Sequence, residues 1–118
     1  MWFDLVLLSF TGDGIIIETD SPVPTPFGGS IGMLVLSNGH GTWKATGKNQ
    51  FAYTYRKILY DANGAPFGLA RTNGAVTLNK EGTQLQADVD IQFTDNSGNV
   101  IFSAKSKVTG HRVEVQEP

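Results

Sequence analysis

The 118-residue chain contains no cysteine. Disulfide scaffolding, thiol catalysis and cysteine-ligated zinc are thereby excluded. Histidine is nearly as scarce: His40 and His111 are the only two, and neither His-x-His nor His-Glu-x-x-His occurs. No metal site is expected on that basis. Nine Lys+Arg against 11 Asp+Glu leave a formal net charge of −2, so the basic footprint that a nucleic-acid partner requires is missing. No apolar run approaches the roughly 18–20 residues that cross a bilayer, and no membrane partner is expected. Gly28-Gly29-Ser30-Ile31-Gly32 matches the letters Gly-x-Ser-x-Gly, but a nucleophile elbow needs a helix to follow the serine and none is expected here. No glycine-rich loop opens a helix, because no helical period survives between the turn signals. Walker-type and Rossmann sites therefore fail, and no cofactor is expected.

What is present is a small, acidic chain of one domain's length, residues 1–118, in which 40% of residues are apolar. That share is enough to close a core and excludes a disordered tail. The opening segment Trp2-Phe3-Asp4-Leu5-Val6-Leu7-Leu8-Ser9-Phe10 has no basic start, carries Asp4 and lacks a small-residue cleavage site. It reads as a strand rather than a signal peptide, and a cytoplasmic location is expected if the chain is complete. Both of its alternating faces are apolar, whereas a half-exposed antiparallel strand alternates apolar with polar. The expectation is a homodimer contact through strand 2–10; the competing reading tucks it under the proline-rich loop.

Turn signals then recur at short intervals. Thr11-Gly12-Asp13-Gly14 leads to a strand at Ile15–Asp20. Alternate prolines and following glycines make 21–32 the longest irregular stretch, a candidate lid over a binding site. Strands are expected at Met33–Leu36, His40–Thr46, Phe51–Tyr60 and Pro66–Leu78, the last kinked or bulged near Asn73-Gly74. From Gln84 to Phe93 apolar and polar residues alternate without exception, a strong period of two. After Asp95-Asn96-Ser97-Gly98-Asn99, the residues Val100, Phe102, Ala104, Ser106 and Val108 are expected to face inward. About eight strands joined by short turns imply an all-β fold, a single antiparallel meander β-barrel, because closure removes exposed sheet edges. A two-sheet sandwich is the alternative. Glycines 41, 47, 68, 74 and 110 fall where tight barrel bends need them.

Three segments carry a resemblance: His40-Gly41-Thr42-Trp43 with Lys44–Gly47, Phe51-Ala52-Tyr53-Thr54-Tyr55, and Tyr60-Asp61-Ala62-Asn63-Gly64. Together with the Asp95–Val100 turn and Val108–Val113, they resemble small, mostly uncharacterised bacterial barrel proteins of calycin-like type, akin to lipocalins and to allene-oxide-cyclase barrels. The resemblance implies a calycin-like barrel and no agreed activity. Gly41-Thr42-Trp43 is also similar to the lipocalin Gly-x-Trp, which would set Trp43 beside Arg112 at one barrel end.

Six residues are candidates for a ligand-binding site: Phe27, His40, Phe51, Tyr53, Tyr55 and Arg71. Phe51, Tyr53 and Tyr55 share a strand face and would line an interior, with Lys57 near a barrel end where its ammonium reaches water. His40, between the proline-rich loop and Gly41, could relay a proton at a barrel mouth. Arg71 is expected to point outward; pointing inward, it would need a carboxylate such as Glu18 or Asp4. Asp88 and Asp90 are expected to pair with Lys105 and Lys107 on the outer surface. The function expected is non-enzymatic binding of a small apolar or aromatic molecule inside the barrel, with two alternatives. One is an isomerase or cyclase working by enclosure through His40, Tyr53, Tyr55 or Arg71; the other is a homodimerising structural module.

Overall fold

The computed structural model describes residues 6–20, 25–26 and 32–113. Nine strands form among them: β1 (Val6–Phe10), β2 (Ile15–Asp20), β3 (Thr25–Pro26), β4 (Met33–Leu36), β5 (Gly39–Gly47), β6 (Gln50–Tyr60), β7 (Pro66–Leu78), β8 (Gln84–Asp95) and β9 (Val100–His111). Every pairing is antiparallel, and the ladder runs β1-β2-β5-β6-β7-β8-β9. The two-residue β3 pairs only β4, which joins β6 beyond the end of β5. Ser37 bridges that gap: its N–H donates to the Ile58 carbonyl at 3.0 Å and its hydroxyl accepts the Ile58 N–H at 2.8 Å. The meander read from the sequence is the fold, curled into a half-barrel. Among the described residues no pairing joins β9 to β1. There is no helix among them either, hence none long and apolar enough to cross a membrane.

The tight turns share one device. Thr11, Asp61, Asn79 and Asp95 each open a turn that closes on Gly14, Gly64, Gly82 or Gly98, all at positive φ (89°, 82°, 71° and 84°). Each glycine N–H donates to the carbonyl of the opening residue at 3.0–3.2 Å. The opening side chain then accepts backbone N–H groups further round, as Asp95 Oδ1 does from Ser97 and Asn99, both at 2.9 Å. Those donors, the Asn99 N–H foremost, hold the Asp95 carboxyl below the usual carboxylate range.

Burial alternates along β6, β7 and β8 and separates an inner face from an outer one. Two apolar clusters fill the inner face. One holds Ile16, Tyr53, Tyr55, Val76, Ala87 and Val89; the other holds Leu34, Leu59, Ala70 and Phe93. The expected bulge at Asn73-Gly74 does not form. The register of β7 with both neighbours is continuous there, and the shift falls between Leu59 and Tyr60 instead. Gly74 serves a different purpose, since a Cβ there would overlap the ring of Tyr53, its cross-strand partner. At Gly41 a Cβ would strike the Thr54 carbonyl of β6, because the curl brings the two backbones close on the inner side.

Gly41→Ala is accordingly expected to lose about 2 kcal/mol or more, since a strand backbone cannot step aside as a side chain can. Gly12, with nothing within 4 Å of an added Cβ, is the control and should change by less than about 0.5 kcal/mol. Urea unfolding checks both; equal midpoints would contradict the close approach.

Candidate functional site

Strand β6 sets the site because its inward residues are Phe51, Tyr53, Tyr55, Lys57 and Leu59, four of them buried. The three aromatic candidates on this strand are therefore brought together on the inner face, as one wall. The Tyr53 and Tyr55 rings stack with centroids 5.7 Å apart and planes 7° from parallel. Phe51 meets Phe10 of β1 at 5.1 Å and Trp43 of β5 at 5.9 Å, both edge-on, the geometry that ring quadrupoles favour. The Trp43 indole N–H donates to the Thr11 carbonyl at 2.9 Å, which ties the stripe to the first turn. Trp43 thus spends its polar group on the first hairpin, while Arg112 is held at the other side of the sheet by its N–H on the Thr83 carbonyl at 2.8 Å.

Beyond Tyr55 the stripe ends in a buried ion pair between Lys57 Nζ and Glu18 Oε2, whose side chains are 5% and 0% exposed. Arg71 points outward as expected, on the face opposite the buried Ala70 and Thr72, so Glu18 is not its partner. The structure corrects the expectation that the Lys57 ammonium reaches water at a barrel end: Glu18 of β2 meets it on the inner face instead. An isolated charge at either position would be costly to bury, and each makes the other tolerable. The ammonium also sits 5.8 Å from the Tyr55 ring centroid, on the attractive face of the π system. Gly39, the register partner of Glu18, leaves room for both neighbours: a Cβ there would come within 2.6 Å of Tyr55 Cδ1 and 3.1 Å of Glu18 Cβ. Burial, reinforced by the negative charge of Glu18, pushes the Tyr53 phenol above its ordinary value. Sequence reasoning missed this pair as a pair. The signal was one lone charge on each of two otherwise apolar strand faces.

The remaining candidates lie elsewhere. His40 is exposed on the outer face, opposite Ile17 and Arg56. Arg71 also faces outward, half-buried, between Arg56 and Gln92. The thickness of the sheet separates both from the tyrosines, so an enclosure mechanism that combines them has no common pocket. Phe27 and most of the 21–32 segment lie outside the described residues, as do residues 2–5 of the first strand and Asp4. A recess of about 490 Å³ opens at the β7–β8 turn end, lined by Thr77, Asn79, Gln84, Gln86, Thr109 and His111 among others, and none of the six candidates borders it. Among the described residues no three His, Asp or Glu side chains gather where a metal ion could sit. Asp88 and Lys107 form the expected outer-surface pair at 3.2 Å, with side chains 73% and 89% exposed, a placement worth little in stability.

No family model, curated protein or solved structure matches the chain.

The raised Tyr53 phenol fixes a sign. A group whose pKa is higher folded than unfolded contributes stability below its unfolded pKa, and that contribution is lost as pH rises through the folded value. A spectrophotometric titration of the folded protein should therefore show a phenolate component that ionises above the ordinary tyrosine range of about 10. Tyr53→Phe should diminish that component. A late component unchanged by the substitution, or none in the parent, contradicts the burial described.

Proposed function

We propose that the protein is a non-enzymatic binding module that holds a small apolar or aromatic molecule against the inner face of its curled sheet. One observation carries this reading. Three inward-facing apolar residues of the two rim strands remain accessible, Val6 at 40%, Phe10 at 37% and Val108 at 38%, although they flank a closed aromatic and aliphatic floor. Apolar surface so placed gains roughly 25 cal/mol for each Å² an apolar occupant takes from water. Phe10 extends the ring stripe of Trp43, Phe51 and Tyr53 toward the rim, so an aromatic occupant would continue an edge-to-face array. The calycin-like resemblance belongs to the same proposal, an apolar interior served by a meander sheet. Retention is by shape and apolar contact, with Lys57 and Glu18 occupied by each other.

A neutral solvatochromic dye such as N-phenyl-1-naphthylamine should bind saturably and brighten, and Phe10→Asp should weaken it by about tenfold or more, the factor equivalent to 1.4 kcal/mol of lost apolar contact. Absence of saturable binding, or binding indifferent to Phe10→Asp, overturns the proposal.

A second reading, self-association through β1, is favoured by a separate observation. Leu7 is 64% exposed on the outer side of a strand whose far edge has no partner among the described residues. An apolar edge strand of this kind is a template for pairing with a second copy. Size-exclusion chromatography with light scattering should then give a dimer that Leu7→Asp converts to a monomer. A monomeric parent chain removes this reading and leaves the first untouched.

A further inference from the structure

On the outer face, the side-chain positions of His40, Arg56 and Arg71 stand directly opposite one another across three adjacent strands. Arg56 is the register partner of both His40 on β5 and Arg71 on β7. Two guanidiniums set face to face across a strand pair repel, and such pairs destabilise a sheet unless something neutralises them. Nothing among the described residues does so. The ion pairs there join Lys57 to Glu18 on the inner face and Lys107 to Asp88 further along β8 and β9, and neither reaches the arginines. Asp90 is the nearest acid by register, diagonal to Arg71 because it pairs with Asn73, yet it forms no ion pair with Arg71. The Arg71 Nε is buried and has no hydrogen-bond acceptor. In a chain of net charge −2, an arginine pair left without a carboxylate is a local excess that composition conceals.

Bounding the row are Thr54 and Asn73 on one side, hydrogen-bonded to each other at 2.7 Å. On the other side are the exposed apolar side chains of Ile58 and Leu69, themselves register partners. The Thr54–Asn73 bond occupies the polar groups of that border and stiffens it, while Gln92, the register partner of Arg71, extends the row onto β8 with a neutral amide.

We propose that this row is a phosphate-binding site, in which the Arg56 and Arg71 guanidiniums clasp the oxygens of a phosphate dianion and the His40 imidazole donates from the β5 side. Two cations without a carboxylate are balanced by a dianion, whereas a monocarboxylate leaves one charge over. Guanidinium forks match phosphate oxygens two at a time. The apolar border of Ile58 and Leu69 suits the organic part of a phosphate monoester, which is the ligand class assigned. The site is independent of anything held on the inner face.

The test is ¹⁵N-resolved NMR titration of the intact chain with inorganic phosphate, phenyl phosphate and acetate at matched ionic strength. Both phosphates should shift the amides around residues 40, 56 and 71 saturably, and acetate should not. Tighter binding of phenyl phosphate identifies the monoester class, and binding of inorganic phosphate alone overturns that assignment. Arg56→Gln and Arg71→Gln should each weaken phosphate by about tenfold or more, the loss of a charge-assisted contact. In phosphate-free buffer Arg56→Gln should melt no lower than the parent, because it relieves the opposed charges. Should Arg71→Gln, at the half-buried position, fail to fold, Arg56→Lys keeps the charge, loses the fork and should still bind more weakly. Shifts of equal size with acetate, or affinities unchanged in the variants, overturn the proposal.

Discussion

Two opposite charges meet in the middle of this core, and the arrangement of the inner face follows from their having to do so. Lys57 lies on β6 between Tyr55, which belongs to one apolar cluster, and Leu59, which belongs to the other. Its partner Glu18 comes from β2, a strand not paired with β6 in the ladder. The ion pair therefore spans β5 and binds the two strands in register. A slip of either strand by one residue would move its charge to the outer face and abandon the other in the interior, at a cost no neighbouring contact offsets. The pair acts on which register forms more than on how stable the fold is.

Curvature is the second constraint, and it is written in glycines set against aromatics. Gly74 lies under the Tyr53 ring, and Gly39 leaves room for the Tyr55 ring and Glu18. Removing side chains from one strand where the next carries rings lets the sheet bend inward without voids. The floor of the half-barrel is therefore solid, stacked tyrosine over glycine, and among the described residues the large accessible apolar side chains of the inner face lie at the rims, Val6, Phe10 and Val108. Any occupant of the inner face meets the rims first.

Much of the architecture was legible from local chemistry. The Asp-x-x-Gly and related turns announce themselves because a side-chain acceptor and a positive-φ glycine are both required at fixed spacing. The unbroken alternation of β8 left one choice of inner face, and the structure makes it. The face of β6 was harder, since Arg56, Ile58 and Tyr60 rival Phe51, Tyr53 and Tyr55 in apolar bulk, and a lysine on a strand reads as a marker of solvent. Its partner is distant in the chain, and no local pattern links Lys57 with Glu18. Asn73-Gly74 looked like a bulge for a similar reason: a glycine inside a strand signals either a kink or a close approach, and only the cross-strand neighbour, Tyr53, decides between them. His40 and Arg71 were singled out for chemistry they could have performed with the tyrosines. Strand parity puts them on the other side of the sheet.

A double-mutant cycle on Glu18 and Lys57 tests the central claim most directly. Glu18→Leu and Lys57→Met should each cost about 3–5 kcal/mol in chemical denaturation, because each strands the other's charge in the core. The double variant should recover much of that loss, with a coupling of about 2 kcal/mol or more. Additive effects, each under about 1 kcal/mol as for solvent-exposed pairs, would mean that the two charges do not meet in a buried interior.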